Sequence, residues 1–290
     1  MLQGSMVAIV TPFMEGRIDE KVFRELIEFQ IAEGTSAIVP CGTTGESATL
    51  THEEHDQVIR IAVECAAGRV PVIAGTGSNS TQEAVSLTRH AQEAGADAAL
   101  LITPYYNKPT QQGLYEYFQS VADAVDFPII LYNVPGRTAV NLLPKTVARL
   151  AEIENIQGIK EASGDLSQVS EIIHLCGSKI TVLSGDDALT LPILSVGGKG
   201  VISVTANVVP SGMAEMVRAG LDNEWDKARQ RHLDLLPLFK AMFYETNPIP
   251  VKTALAMMGR IREEFRSPLC RMSPENRQRL SDVLKKYRIV

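Results

Sequence analysis

The sequence contains only four cysteines, Cys41, Cys65, Cys176 and Cys270, and no two of them form a C-x-x-C pair. That spacing argues against a structural zinc site and against a disulfide framework, so the four are read as reduced core or loop thiols. No cluster of His, Asp and Glu has metal-ligand spacing. His52-Glu-Glu-His55 sets its histidines three apart, not four as in H-E-x-x-H, and no catalytic metal is expected. No basic stripe is present, and a formal net charge of −6 disfavours nonspecific binding to nucleic acid or an anionic membrane. No apolar run is long enough to span a bilayer, and the opening residues lack the basic and apolar regions of a secretory signal, so a cytoplasmic protein is expected. A nucleotide-binding G-x-x-x-x-G-K-[ST] loop is missing too.

What is present is a regular alternation. Short β-branched runs take turns with longer amphipathic segments, the pattern of parallel strands and crossover helices. Eight strands are predicted: Met6–Val10, Ala37–Pro40, Pro71–Ala74, Ala98–Ile102, Pro128–Tyr132, a sixth closed by Lys160, Ile180–Ser184 and Gly200–Ser203. Asp19 can cap a first helix whose apolar face carries Val22, Leu26 and Phe29, and Thr51 with Glu54 makes a capping box for the second. Eight such units suit an α/β fold of the closed (β/α)₈ TIM-barrel type better than an open sheet. From Asn223 onward no strand signal remains. The expected organisation is a catalytic barrel over residues 1–222 and an all-helical extension over 223–290, packed on the barrel and broken at Asn247-Pro-Ile-Pro250 and near Ser267-Pro268.

In such a barrel the loops after the strands share one face, and that face carries the chemistry. Lys160 closes a strand there. A lysine at a strand end ordinarily points into water, but apolar surroundings would lower its pKa toward the nucleophilic amine that forms Schiff bases. Tyr132 ends the neighbouring strand at the same level and could relay protons, although packing is the more ordinary role of such a tyrosine. Arg137 offers a cationic fork for a carboxylate, or is simply a solvated loop residue. Gly42-Thr43-Thr44-Gly45-Glu46 has hydroxyls and N–H groups suited to an anion, and on its own is also an ordinary glycine-rich turn.

Gly42-Thr-Thr-Gly-Glu46, Tyr132-Asn-Val-Pro-Gly-Arg137 and Gly158-Ile-Lys-Glu-Ala162 together resemble the pyruvate-dependent class I aldolase and lyase family. The similarity runs nearly end to end, from Gly4-Ser-Met-Val-Ala-Ile-Val-Thr-Pro12 through Leu183-Ser-Gly-Asp-Asp187 and Gly200-Val-Ile-Ser-Val-Thr-Ala-Asn207 to Asn247-Pro-Ile-Pro-Val-Lys252. Within the family it is nearest to the branch that condenses pyruvate with L-aspartate 4-semialdehyde in lysine biosynthesis. The resemblance implies a Schiff base between Lys160 and pyruvate, with no metal and no other cofactor. Thr43 and Thr44 match the loop that holds the pyruvate carboxylate. Thr43 and Tyr132 match a proton relay completed by Tyr106, which crosses from a neighbouring subunit of a homotetramer built as a dimer of dimers. Arg137 matches the residue that receives the semialdehyde carboxylate, while Gly185 and the backbone of Ile202 match the lining of the pyruvate pocket.

A second set, Ser47, Ala48, His52, His55, Asn79, Glu83 and Tyr105, matches the L-lysine feedback site of lysine-sensitive members. Read from the residues alone, these are solvated helix starts. Two positions depart from the pattern: Thr253 stands where many relatives have tryptophan, and Cys41 where a small aliphatic residue is usual. The competing readings are a sialic-acid or keto-deoxy sugar-acid lyase of the same family, and a noncatalytic metabolite sensor.

Overall fold

Eight parallel strands carry the structure: β1 (Gly4–Ala8), β2 (Ala37–Val39), β3 (Ile73–Gly75), β4 (Ala98–Ile102), β5 (Ile129–Asn133), β6 (Ile156–Glu161), β7 (Thr181–Ser184) and β8 (Gly200–Ser203). The computed structural model describes residues 2–290. Hydrogen-bonded neighbours run in the order β2-β1-β8-β7-β6-β5-β4-β3. The ring closes between the two ends of that order, through an isolated parallel bridge of Ile38 with Val72 and the Gly75 N–H donating to the Pro40 carbonyl at 2.9 Å. This is the TIM barrel expected from the alternation, with a helix or helical turn after each strand.

Side chains alternate across each strand, so the two faces collect different residues. Met6, Ala8, Val39, Leu100, Ile130 and Ile202 fill the barrel interior. Val7, Ile38, Leu101, Leu131 and Ile159 face outward into the layer under the helices. The first helix, Glu20–Ala32, is capped by the Asp19 side chain, as read from the sequence, and Thr51 with Glu54 forms the reciprocal capping box of His52–Ala66. The apolar face of the first helix is rotated from its expected position. Phe23, Leu26, Ile27 and Gln30 are buried, while Val22 and Phe29 flank that stripe, and Phe29 instead receives the Arg260 guanidinium 3.5 Å from its ring centre.

One element has no counterpart in the sequence reading. Phe13–Met14 and Arg17–Ile18 form a small antiparallel hairpin turned by Glu15 and Gly16, both at positive φ (56° and 78°), the geometry of a two-residue primed turn. After Leu221 the chain is helical, with helices Trp225–Ala241, Ile249–Met257 and Pro274–Lys286. The first packs on the helix Pro210–Leu221, with Leu235 against Gly212, and Pro250 stands in the first turn of the second, where its missing N–H costs nothing. Among the described residues no helix is long and apolar enough to cross a membrane.

Candidate active site

Parity along β6 turns Gly158 and Lys160 into the barrel and Ile159 and Glu161 out of it. Lys160 pairs in register with Tyr132 of β5 on one side and Leu183 of β7 on the other, so Tyr132 and Lys160 stand at one level as the sequence reading placed them. The lysine is 7% exposed, and its Nζ lies over the Tyr132 ring, 4.1 Å from the centroid. Behind this pair, the next residues on each strand are tied together. Asn133 donates through Nδ2 to the buried Glu161 carboxylate at 3.0 Å, which also accepts from the Ser163 N–H at 2.6 Å. The register of Tyr132 against Lys160 is thereby fixed from outside the barrel.

Gly185 follows β7 directly beneath the lysine. A Cβ there would stand 2.7 Å from the Ala162 Cβ and 3.1 Å from the Lys160 Cε, so only glycine leaves the Lys160 stem its place. Thr43, Thr44, Tyr132, Arg137, Lys160 and Gly185 line one cavity of about 160 Å³. Arg137 reaches its mouth from the one-turn helix Pro135–Thr138. Two residues of the expected set are elsewhere. Ile202 is buried in β8 within the barrel interior and does not line this cavity, and Tyr106 is 91% exposed on the loop after β4, also outside the lining.

The threonine loop is held by residues the sequence reading had not assigned to the site. The Thr11 hydroxyl donates to the Gly45 carbonyl at 2.7 Å. Asn247 donates through Nδ2 to the Thr44 Oγ1 at 3.0 Å, and its backbone carbonyl accepts from the Arg137 Nη2 at 3.1 Å. Glu46, in the left-handed region at φ 54°, pairs with the buried Lys252. Arg266 donates from its backbone to Glu46 and from its guanidinium to Glu54 and to the Thr49 carbonyl. A lysine amid the apolar run Ile249–Leu255 was the available signal, because a cation there must bring a carboxylate with it. Asn247 had been read as a helix break and as the start of a stretch that resembles the family, with no place in the site. Of the two departures from the family pattern, Thr253 is fully buried and approaches Glu263, and Cys41, at φ 57°, is buried, which holds its thiol pKa well above the ordinary cysteine value.

A larger cleft of about 400 Å³ adjoins the first, and Thr43, Arg137 and Asn247 belong to the walls of both. Ser47, Ala48, His52, His55, Glu83 and Tyr105 line it, whereas Asn79 is exposed and outside the lining. Glu83 accepts from the Ser78 hydroxyl and lies 3.1 Å from the His52 Nε2. His55 is buried and bonds through Nε2 to the Gly75 carbonyl at 2.8 Å; burial holds its pKa below the ordinary histidine value. Since a carbonyl only accepts, the proton of the neutral ring is on Nε2. Among the described residues no group of three or more His, Cys, Asp or Glu is placed to hold a metal ion.

Residues 1–287 match the model of the dihydrodipicolinate synthetase family. The 4-hydroxy-tetrahydrodipicolinate synthase of Thermodesulfovibrio yellowstonii is 64% identical over 285 residues, covering 98% of each chain. Among solved structures, the dihydrodipicolinate synthase of Acinetobacter baumannii complexed with pyruvate superposes with a TM-score of 0.99 at 47% identity, over the full length of both chains. That of Cyanidioschyzon merolae with lysine bound gives 0.97 at 39% identity, over 99% of each. With Lys160, Tyr132 and the threonine loop assembled around one cavity at the carboxyl ends of the strands, and with likeness along the entire chain, this protein belongs to the dihydrodipicolinate synthetase family.

Proposed function

We propose that this enzyme condenses pyruvate with L-aspartate 4-semialdehyde, giving 4-hydroxy-tetrahydrodipicolinate, through a Schiff base on Lys160. The observation that carries the reading is the buried amine of Lys160 lying on the Tyr132 ring, in a cavity with threonine hydroxyls at one wall and the Arg137 guanidinium at its mouth. The Lys160 Nζ attacks the pyruvate ketone and water leaves, forming a cationic imine. Loss of a methyl proton gives the enamine, whose carbon adds to the aldehyde of the second substrate. The amino group of that substrate then displaces Lys160 from the imine carbon and closes the ring, so the lysine is regenerated and one water is released overall. The imine serves as the electron sink, and the reaction calls for no metal or other cofactor.

Thr43 and Tyr132 pass the protons of these steps, and the exposed Tyr106 completes the relay in the partner subunit of a homotetramer built as a dimer of dimers. Thr44 holds the pyruvate carboxylate, and Arg137 takes the carboxylate of the semialdehyde by charge-assisted hydrogen bonds. Gly185 shapes the pyruvate end of the site, whereas Ile202, in the barrel interior, is outside the lining of the cavity. The adjoining cleft binds L-lysine as a feedback inhibitor, a reading supported by its lining of Ser47, Ala48, His52, His55, Glu83 and Tyr105 and by the lysine bound to the Cyanidioschyzon merolae relative. Asn79, outside that lining, has no part in the cleft of the single chain. The enzyme acts in the cytoplasm.

The test is borohydride reduction in the presence of pyruvate, followed by peptide mass analysis, beside a coupled assay of semialdehyde consumption. Label on the Lys160 peptide together with consumption of both substrates supports the reading. Label without consumption of the semialdehyde assigns the same chemistry to another acceptor aldehyde. Absence of label removes Lys160 from the mechanism.

A further inference from the structure

Asn247 belongs to the walls of both cavities, and its two bonds go to the two groups assigned above to the two substrate carboxylates. Its side-chain amide donates to the Thr44 hydroxyl at 3.0 Å, and its backbone carbonyl accepts from Arg137 at 3.1 Å. Both the asparagine and the threonine are nearly sealed from solvent, at 5% and 2% exposure, so neither bond is exchanged freely for water. They lie 203 positions apart in the chain, one in the loop after β2 and the other in the helical region that follows the barrel.

The direction of the first bond has a chemical consequence. A hydroxyl has one proton to donate and two lone pairs with which to accept. Because the amide N–H of Asn247 can only donate, Thr44 must accept, and its own proton is directed elsewhere. Among the described residues no protein acceptor takes that proton, while Thr44 is one of the residues that line the cavity containing Lys160. We propose that Asn247 is a positioning residue that makes the Thr44 hydroxyl a donor to the pyruvate carboxylate and, through its backbone, fixes Arg137 at a set distance for the carboxylate of the second substrate. The proposal rests on the reading of Thr44 and Arg137 given above.

The two bonds come from different parts of the asparagine, which makes them separable. Asn247→Leu has nearly the same shape, removes the amide donor and leaves the backbone carbonyl for Arg137. Asn247→Asp keeps the shape but places an acceptor opposite Thr44, which turns the hydroxyl proton away from the cavity. The pyruvate concentration for half-maximal borohydride trapping on Lys160 reads binding of the first substrate directly, and the coupled assay gives KM for the semialdehyde. Asn247→Leu is expected to raise the pyruvate value about tenfold, and Asn247→Asp more, while the semialdehyde KM changes less than about threefold. In a Thr44→Val background, Asn247→Leu is expected to add less than about twofold, because the group it acts through is already gone.

An unchanged pyruvate value in both Asn247 variants, with Thr44→Val raising it, overturns the proposal and leaves the reading of Thr44 standing. An equal rise on the Thr44→Val background also overturns it, since Asn247 would then act by another route. If Thr44→Val itself leaves pyruvate binding unchanged, the reading of Thr44 fails, and the proposal falls with it.

Discussion

Lys252 and Glu46 form an ion pair with no solvent contact on either side chain: both are 0% exposed. The lysine comes from the helix Ile249–Met257, and the glutamate closes the loop that carries Thr43 and Thr44. Burial pulls the lysine pKa down, and the glutamate opposes that pull. The ammonium also lies 4.3 Å from the Phe13 ring centre and 5.2 Å from that of Phe265, and the second Glu46 oxygen accepts from the Arg266 N–H at 3.1 Å. The helical region therefore anchors the threonine loop of the candidate active site.

Breaking this pair on one side is expected to be costly, because the surviving charge is left buried without its counter-ion. Lys252→Met or Glu46→Gln should each lose about 3–5 kcal/mol of stability in urea unfolding at fixed protein concentration. The double variant should lose clearly less than the sum, since it leaves no buried charge behind. Additive losses would mean that the two side chains contribute independently and that the pair is not the unit of stabilisation.

Gly185→Ala tests how tightly the nucleophile is seated. The added methyl would stand 2.7 Å from the Ala162 Cβ, closer than real contacts allow, and 3.1 Å from the Lys160 Cε, tighter than most. The Ala162 Cβ yields only with its backbone and the lysine stem by rotating, so the amine should move by a fraction of an ångström to an ångström, enough to cost about a hundredfold in turnover. Stopped-flow measurement of imine formation should locate the loss in that step. An alanine variant with wild-type imine formation would show that Lys160 needs no fixed seat.

Much of this site was legible because barrel geometry converts sequence into position. Once Tyr132 and Lys160 are each placed at the end of a parallel strand, period-two alternation and register put them side by side without further information. The Phe13–Ile18 hairpin was harder to read, because a two-residue strand has no period and Glu15 has no obvious reason to adopt positive φ. Asn247, Glu46 and Lys252 were hidden for another reason. Their partners lie more than two hundred positions away, and no local pattern reports a contact that only the closed fold creates. Asn133 and Glu161 lay in plain view within quoted motifs, yet their bond follows from facing away from the cavity, the side on which chemistry is not sought.

For the adjoining cleft, the residue that decides the lysine reading is Glu83. Its carboxylate is held by the Ser78 hydroxyl and the His52 imidazole, so a ligand ammonium would exchange places with these partners in a part-buried setting. Loss of one such charged contact is worth about 1.5–3 kcal/mol. Glu83→Ala should therefore raise the half-inhibiting concentration of L-lysine by at least about tenfold, measured in the coupled assay with both substrates saturating. An unaltered inhibition curve would remove Glu83 from the effector site.

His55 gives the same cleft a pH dependence whose sign can be worked out. Its Nε2 proton is committed to the Gly75 carbonyl, and its Nδ1 is buried without a partner, so protonation would place a second N–H in a pocket with little to receive it. Asp56 is the nearest carboxylate, 4.0 Å away, and His52 and His90 oppose a further positive charge, so burial outweighs the attraction and the folded pKa lies below the ordinary value. In the unfolded chain the ring titrates near about 6.5. Above that pH neither state takes a proton at this residue, and its contribution is constant. As pH falls through about 6.5 toward the folded pKa, the unfolded state gains a proton that the folded state refuses, and stability declines by at most about 1.4 kcal/mol per pH unit. Urea midpoints taken from pH 7.5 down to 5.5 should fall more steeply for the wild type than for His55→Gln, which keeps an N–H for Gly75 and cannot titrate. Parallel slopes would assign the acid sensitivity to other groups and leave His55 as a hydrogen-bond donor alone.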